Sequence, residues 1–500
     1  MQKPPARIII LGGGTAGWMA ANLLAKAWGA LGTKVTLVES PDIGIIGVGE
    51  GSTPQFRGFF RTLGMDEADW MPKCNATYKN GIIFNGWSER PGFESYYHPF
   101  ATELDTHSLD SFTYNTRARR TGRDVWAHPD RFFLPALLSA KRLGPIPREN
   151  FPFDVSYGYH FDAHLVGAVL RDHAKSLGVE HLERHIVKVE VSEKGDVAAL
   201  LTSTSERIDG DLFIDCSGFC GNIIQEALGE KFISFADNLF NNSAVVMPTP
   251  ADVTGTNPHT KVTALSAGWT WDIPLTNRTG NGYVFASGYI DKDAAETELR
   301  AHLGLLNSDL EARHLTMKVG RVERSWVGNC LAVGLSQGFI EPLEATALHI
   351  VQTTVEGFIS HFETGDRDAF NHRIAARYEG IRDYIVCHYR VNRRTDTQYW
   401  RDNAANQNLS DSLKMMMTSW FRGEDLGATI AELDIGKYYS SLSWHCLLAG
   451  YGTFPDDEQI TPPGNDIVPV DMERIDDFLT RCALNFSDHK ALLQALNSSG

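Results

Sequence analysis

The apolar positions of the first forty residues change period twice. Arg7 to Leu11 is a continuous apolar run, and six glycine-rich residues later Ala and Leu recur at helical spacing from Trp18 to Trp28. Lys34 to Glu39 (KVTLVE) is again β-branched, so the segment predicts strand, turn, helix and strand, the plan of a βαβ unit. Pro41 to Pro54 is rich in glycine without a helical period and predicts a loop crossing a bound cofactor. Arg90 to Pro152 is aromatic, basic and irregular, the texture of an insertion. Helical spacing returns from His160 to Lys175, then alternation over Ile186 to Val191 and Val197 to Thr202, then a buried strand, Asp211 to Ile214, entering Cys216-Ser217-Gly218. Thr260 to Ile290 and Lys318 to Val333 predict further sheet, and from about Asp366 onward the patterns are helical. No internal repeat interrupts this order. The expected architecture is α/β, with a discontinuous core over residues 1–105 and 153–362 and a mostly helical cap from 106–152 and 363–500.

Composition narrows the partners. With 46 Lys+Arg against 62 Asp+Glu the formal charge is -16, which repels a polyanion, so no nucleic-acid partner is expected. The densest basic cluster, Arg117, Arg119, Arg120 and Arg123, reads as a solvated helix face. Seven cysteines without a CxxC pair suggest neither a disulfide framework nor a zinc site, so no metal is expected and a reducing compartment fits. There is no tripartite leader and no apolar run of about 18 residues, so no membrane association and a cytoplasmic location are expected.

The glycines after the first strand are spaced Gly12-x-Gly14-x-x-Gly17 and open a helix. The first allows a tight turn, the second lets backbone approach a pyrophosphate, and the third allows close helix-to-strand packing. Thr15 and Ala16 lie inside this turn, and Glu39 closes the second strand, where a carboxylate accepts hydrogen bonds from a ribose hydroxyl pair. A late glycine segment, Trp326 to Gly338 (WVGNCLAVGLSQG), favours FAD over NAD, because its strand end can lie beside the ribityl chain. A buried strand with a turn is the plainer account of that segment.

Gly268-Trp269-Thr270-Trp271-Asp272-Ile273-Pro274 has the form GWxWxIP, and with it the chain resembles the flavin-dependent tryptophan halogenase family over most of its first 350 residues. On a strand Trp269 and Trp271 share one face; by themselves they are equally a pair of core aromatics. The resemblance implies a Rossmann-type, GR2-like flavin monooxygenase core, with these tryptophans close to FAD. It also matches Lys79 to the family's catalytic lysine, an ammonium that can hydrogen-bond hypohalous acid or react to a haloamine. Gly338 to Ala347 (GFIEPLEATA) is similar to the segment carrying the halide site and an acid: Glu344 matches the acid, and the backbone amides of Thr346 and Ala347 match the halide site. Members often have Ser and Gly where this chain has Ala345 and Ala347. Gly47 to Pro54, with Gly49, resembles the strap between flavin and halide, Leu335 and Ile340 fall on the cofactor side of the late segment, and Asp211 to Gly221 matches a strand and turn beside the cofactor.

At the substrate end, His98 and Phe100 fall where the family lines its aromatic pocket. Tryptophan-specific members hold the amino acid with paired tyrosines, a glutamate and Phe-Trp; here Tyr438-Tyr439 leads through Ser440-Ser441-Leu442-Ser443 to Trp444, with neither the acid nor the Phe. An ammonium buried without its counter-charge costs several kcal/mol, so indole, a substituted indole or another electron-rich aromatic is expected in place of free tryptophan. The resemblance implies an enzyme that takes FADH2 from a separate NAD(P)H-dependent flavin reductase, with oxygen and chloride or bromide, to form hypohalous acid and halogenate that ring; many relatives are homodimers. An FAD-dependent aromatic hydroxylase is the competing enzyme on the same kind of fold, and halide dependence of the product separates the two.

Overall fold

Arg7–Leu11 is hydrogen-bonded in parallel on both sides, with Leu11 level with Val38 of Lys34–Glu39 and with Asp215 of Leu212–Asp215. A parallel strand covered on both faces has no polar side, which is why it reads as an unbroken Ile-Ile-Ile run. The computed structural model describes residues 3–42, 44, 49–148, 150–464 and 467–498. Its contacts divide the chain into two units: residues 1–76, 161–236 and 316–379, and residues 77–160, 237–315 and 380–500.

In the first unit the sheet order is Trp326–Val327, Cys330–Ala332, Leu212–Asp215, Arg7–Leu11, Lys34–Glu39, Glu180–Glu183, antiparallel only at the Trp326–Val327 edge. Helix Thr15–Trp28 packs against helices Ala163–Ser176 and Ala347–Thr364. The expected strands Ile186–Val191 and Val197–Thr202 form with those bounds and continue into Arg207–Asp209 as an antiparallel meander. Their apolar side joins Ile9, Leu11, Phe213 and Ile223 in one core. The helix expected from His160 starts later, because His160 lies in strand Gly158–Asp162 and Asp162 Oδ1 accepts from the backbone N–H groups of His164 and Leu165 as the cap of Ala163–Ser176.

The second unit holds a seven-stranded sheet in the order Arg313–Thr316, Ser243–Pro250, Arg278–Phe285, Gly268–Pro274, Thr260–Leu265, Gly81–Asn85, Ser95–Pro99. Val245, Met247, Tyr283 and Phe285 pack on Ala295 and Leu299 of helix Lys292–Leu303. The sequence pattern groups this sheet with the nucleotide strand; the contacts group it with the helical C-terminal segment, because each of its strands is bonded to another of its own. Trp271 lies opposite Gly282, where a Cβ would stand 2.2 Å from the indole, so the glycine makes room for the ring.

Two expectations are corrected here. The irregular sequence texture of 90–152 conceals regular elements, strands Ser95–Pro99 and Leu143–Pro147 around helices Thr106–Arg120 and Leu134–Ala140, the helices falling in the span expected to be helical. Helix Thr106–Arg120 buries Ser108, Asn115, Thr116 and Arg120 beside Phe112, so its inner face carries no apolar period. Nor are the arginines of that helix uniformly solvated. Arg117 is exposed, but the Arg120 guanidinium lies 4.6 Å from the centroid of the Trp420 ring and donates to the carbonyls of Trp420 and Glu424. Burial, with Arg117 nearby, lowers its pKa to about 10.

All seven cysteines are free. Among the described residues no helix is long and apolar enough to cross a membrane, and no group of three or more His, Cys, Asp or Glu side chains is placed to hold a metal ion. Arg120→Ala is expected to lower unfolding free energy by about 2–4 kcal/mol, since it removes a donor from the Glu424 carbonyl and uncovers Trp420, whereas Arg117→Ala changes it by about 0.5 kcal/mol or less. Urea denaturation of both variants checks the contrast.

Candidate active site

Three glycines of the first turn are demanded by its geometry. Gly12 has φ +115° and a Cβ there would lie 2.2 Å from the Cys216 carbonyl oxygen; at Gly17 it would lie 1.9 Å from the Gly12 carbonyl oxygen. Gly14, the N-cap of helix Thr15–Trp28, differs: among the described residues a Cβ there meets nothing within 4 Å, so these leave the helix N-terminus open to a ligand. A Cβ on Gly13 would fall 1.6 Å from Glu39 Oε2, so the acid rests against this turn. Its Oε1 is 2.6 Å from His181 Nε2, which fixes the carboxyl in place. At Gly334 a Cβ would come 2.8 Å from the Ala16 Cβ, so the late glycine segment meets the start of the same helix. An FAD whose pyrophosphate lies over Gly14 and whose ribose faces Glu39 fits these residues.

Asp215, inside the Asp211 to Gly221 segment but given no role of its own by it, ties the two glycine segments together. Its carboxylate accepts from Ser217 N and Oγ and from the N–H groups of Ile223 and Ile224, while its own carbonyl accepts from Ser336 Oγ and Val333 N. Complete burial still pushes its pKa up, against four hydrogen bonds that lower it. Of the expected strap, Gly49 lies in strand Gly49–Gly51, while Gly47 and Val48 lie outside the described residues. Leu335 is half-buried and Ile340 buried.

After Ile340 the chain turns through Pro342–Glu344 and places Ala345 at φ +55° before helix Ala347–Thr364. A left-handed alanine costs about 1–2 kcal/mol, which Gly at this position would avoid. Glu344 and Thr346 are buried and Ala347 is exposed at the helix start. The N–H groups of a first helical turn have no intrahelical acceptor, so this turn presents donors suited to an anion.

The other expected residues lie in the second unit. Thr77–Lys79 pairs antiparallel with Gly158–Asp162, Thr77 opposite His160 and Lys79 opposite Gly158. Lys79 is 1% exposed, and its Nζ lies 5.3 Å from the centroid of the Phe100 ring. Phe100 is held there by its N–H donating to the Asn80 carbonyl at 3.0 Å. Three histidines of this unit are uncharged: burial holds His489 and His259 at about 4, and burial with the Lys79 charge drives His160 well below its ordinary value.

His98 and Trp444 are joined by a residue that carries no motif, Tyr384. Its ring is 6.3 Å from His98 and 4.8 Å from Trp444, and it stacks on Tyr439 at 3.6 Å. Trp444 is 2% exposed. His388, 5.3 Å from Tyr384, is held at about 3 by burial. Trp269 and Trp271 are buried with ring centroids 6.1 Å apart, on one face of their strand as the alternation predicts. The fold thus brings Lys79 to Phe100, His98 and Trp444 to Tyr384, and Gly12, Gly14 and Gly17 to Glu39; Glu344, Thr346 and Ala347 belong to the first unit with the glycine turn.

Comparison with known proteins gives a consistent result. The tryptophan halogenase family model matches residues 7–462. The chain is 38% identical to the tryptophan 6-halogenase SttH of Streptomyces toxytricini over 84% of each chain. It is 34% identical to the tryptophan 7-halogenase RebH of Lentzea aerocolonigenes over 90% of each. Among solved structures it superposes on BrvH, a flavin-dependent halogenase from Brevundimonas sp. BAL3, with TM-score 0.83 and 31% identity over 99% of each chain.

The buried histidines make stability pH-dependent. An unfolded imidazole binds a proton below about pH 6.5, whereas His388 in the fold does so only near 3. Its contribution is therefore complete above about 6.5 and is lost as pH falls toward 3, with a slope of up to about 1.4 kcal/mol per pH unit. His388→Phe is expected to reduce the pH dependence of unfolding free energy between pH 6 and 4 by close to one proton, measured by urea titrations at each pH.

Proposed function

Because the chain belongs to the tryptophan halogenase family, we propose that it halogenates an indole ring that does not carry the free amino-acid group, with Lys79 as the amine that presents the halogen. It is a flavin-dependent halogenase using FADH2, oxygen and chloride or bromide. When bound, reduced FAD supplies the electrons that, with oxygen and halide, yield hypohalous acid; Gly12, Gly14, Gly17, Thr15, Ala16 and Glu39 would hold its ADP half, with Gly49, Trp269, Trp271, Leu335 and Ile340 on the flavin side. In this reading a separate NAD(P)H-dependent reductase delivers the FADH2.

The observation that carries the assignment is the burial of Lys79 beside Phe100 among uncharged histidines. A buried ammonium keeps its hydrogen-bonding strength because no water competes for it. Donating to the oxygen of hypohalous acid, Lys79 makes the halogen more electrophilic. The ring π electrons form the carbon–halogen bond as the oxygen–halogen bond breaks, and the hydroxide leaves with a proton as water. Glu344 accepts the ring proton, and the amides of Thr346 and Ala347 bind the halide before its oxidation.

The substrate reading rests on charge. Tyr384, Tyr439 and Trp444 meet one another ring to ring, with His98 at 6.3 Å and His388, which burial keeps neutral, at 5.3 Å from Tyr384. In this reading a substrate held against these rings is a neutral aromatic and not a zwitterion, for which burying unpaired charges costs several kcal/mol. SttH and RebH are named for tryptophan, and the open question between them and this chain is the amino-acid group, not the ring.

The test supplies FAD, a reductase, oxygen and bromide or chloride with indole or tryptophan, and reads products by mass. A halogen isotope pattern on indole, at higher kcat/KM than on tryptophan, is expected. Lys79→Ala is expected to lose about 10³-fold or more in turnover, and Glu344→Gln about 10²-fold in kcat with KM little changed. A halide-independent hydroxylated product, or halogenation by Lys79→Ala at the parent rate, overturns the assignment.

A further inference from the structure

Beside Lys79 runs a closed series of hydrogen bonds that the reaction as described does not use. Residues two apart on a strand share a face, as do directly opposed residues of antiparallel neighbours, so Thr77, His160 and Lys79 lie on the same side of the strand pair. His160 is fully buried. Its Nδ1 is 3.1 Å from Thr77 Oγ1, its Nε2 is 2.9 Å from Thr260 Oγ1, and Thr77 Oγ1 is 2.8 Å from the Pro274 carbonyl oxygen.

The directions of these bonds are fixed by proton count. Thr77 has one hydroxyl proton and the Pro274 carbonyl can only accept, so toward His160 the hydroxyl must itself accept. Nδ1 therefore carries the imidazole hydrogen, and in the neutral ring Nε2 accepts from Thr260. Burial and the positive charge of Lys79 favour that neutral form, with His259 and His489 acting in the same sense. Three bonds in series thus tie the first residue of the lysine strand to Thr260 on one side and to Pro274, the last residue of Gly268–Pro274, on the other. Both ring nitrogens of His160 and the hydroxyl protons of Thr77 and Thr260 are thereby engaged within the series.

We propose that His160 is a positioning residue for the Lys79 amine, acting through Thr77 to hold the lysine strand in register with Pro274 and so to set where the amine meets the halogen. This rests on the reading of Lys79 given above. A network serving stability alone would alter how much folded protein there is. A positioning network alters how the oxidant is shared, because a displaced amine lets hypohalous acid escape before it reaches the ring.

The holoenzyme with reductase, bromide and indole is assayed for two products at once: bromoindole, and hypobromous acid caught by a diketone trap in solution. In His160→Phe and in Thr77→Val, which conserves volume, the ratio of bromoindole to trapped oxidant is expected to fall about tenfold or more, with the KM for indole within about twofold of the parent. His160→Asn, whose amide N–H takes the place of Nδ1–H, is expected to restore most of the ratio. The double variant is expected to be no worse than either single one, since both cut the same series.

An unchanged ratio in Thr77→Val, or losses that multiply in the double variant, would falsify the inference even if His160→Phe does not fold. Lys79→Ala run in parallel separates the two levels. If it still brominates, the lysine assignment fails; if it does not and Thr77→Val keeps the parental ratio, only the role of His160 fails.

Discussion

A lysine amine held at 1% exposure constrains everything around it. Withdrawing a charge from water costs several kcal/mol, and a second positive charge nearby would raise that cost further. The surroundings of Lys79 obey this restriction. Its ring neighbour is Phe100, whose negative face suits a cation, its cross-strand partner is a glycine, and His160, His259 and His489 are all driven toward neutrality. In the proposed reaction the same burial makes the amine a strong hydrogen-bond donor, so the demands of burial and of chemistry coincide.

A comparable economy governs the nucleotide turn. The close approaches at Gly12 and Gly17 press the helix onto the strand and onto the Cys216 carbonyl, while among the described residues nothing crowds Gly14. The buried Asp215 carboxylate, with four donors, locks the second loop of the site and through its carbonyl receives Ser336. Cofactor recognition in this reading is thus a property of backbone placement secured by one buried acid.

The aromatic cluster around Tyr384 works by the absence of charge in the rings that compose it. Tyr384 and Tyr439 stack, Trp444 meets them edge-on, and His388 is too deeply buried to titrate near neutrality. If the proposed substrate meets this cluster, a neutral ring loses little there, whereas an amino acid loses the hydration of two charges.

Much of this was legible in the residues. The strand, glycine turn and helix at the N-terminus follow from local period and from conformations only glycine tolerates, and Trp269 and Trp271 share a face because strand alternation requires it. Lys79, Glu344, Thr346 and Ala347 were named by their motifs, since a motif records residue order. What order cannot carry is partnership at long range. Helix Thr106–Arg120 buries polar side chains that meet distant carbonyls, Tyr384 acquires its meaning from Tyr439 and Trp444, and the bond directions at His160 depend on Thr77, Thr260 and Pro274, which lie up to 197 residues apart. Only the folded chain decides which buried polar groups satisfy one another, because their hydrogen bonds are settled by proximity in space and not by spacing along the sequence.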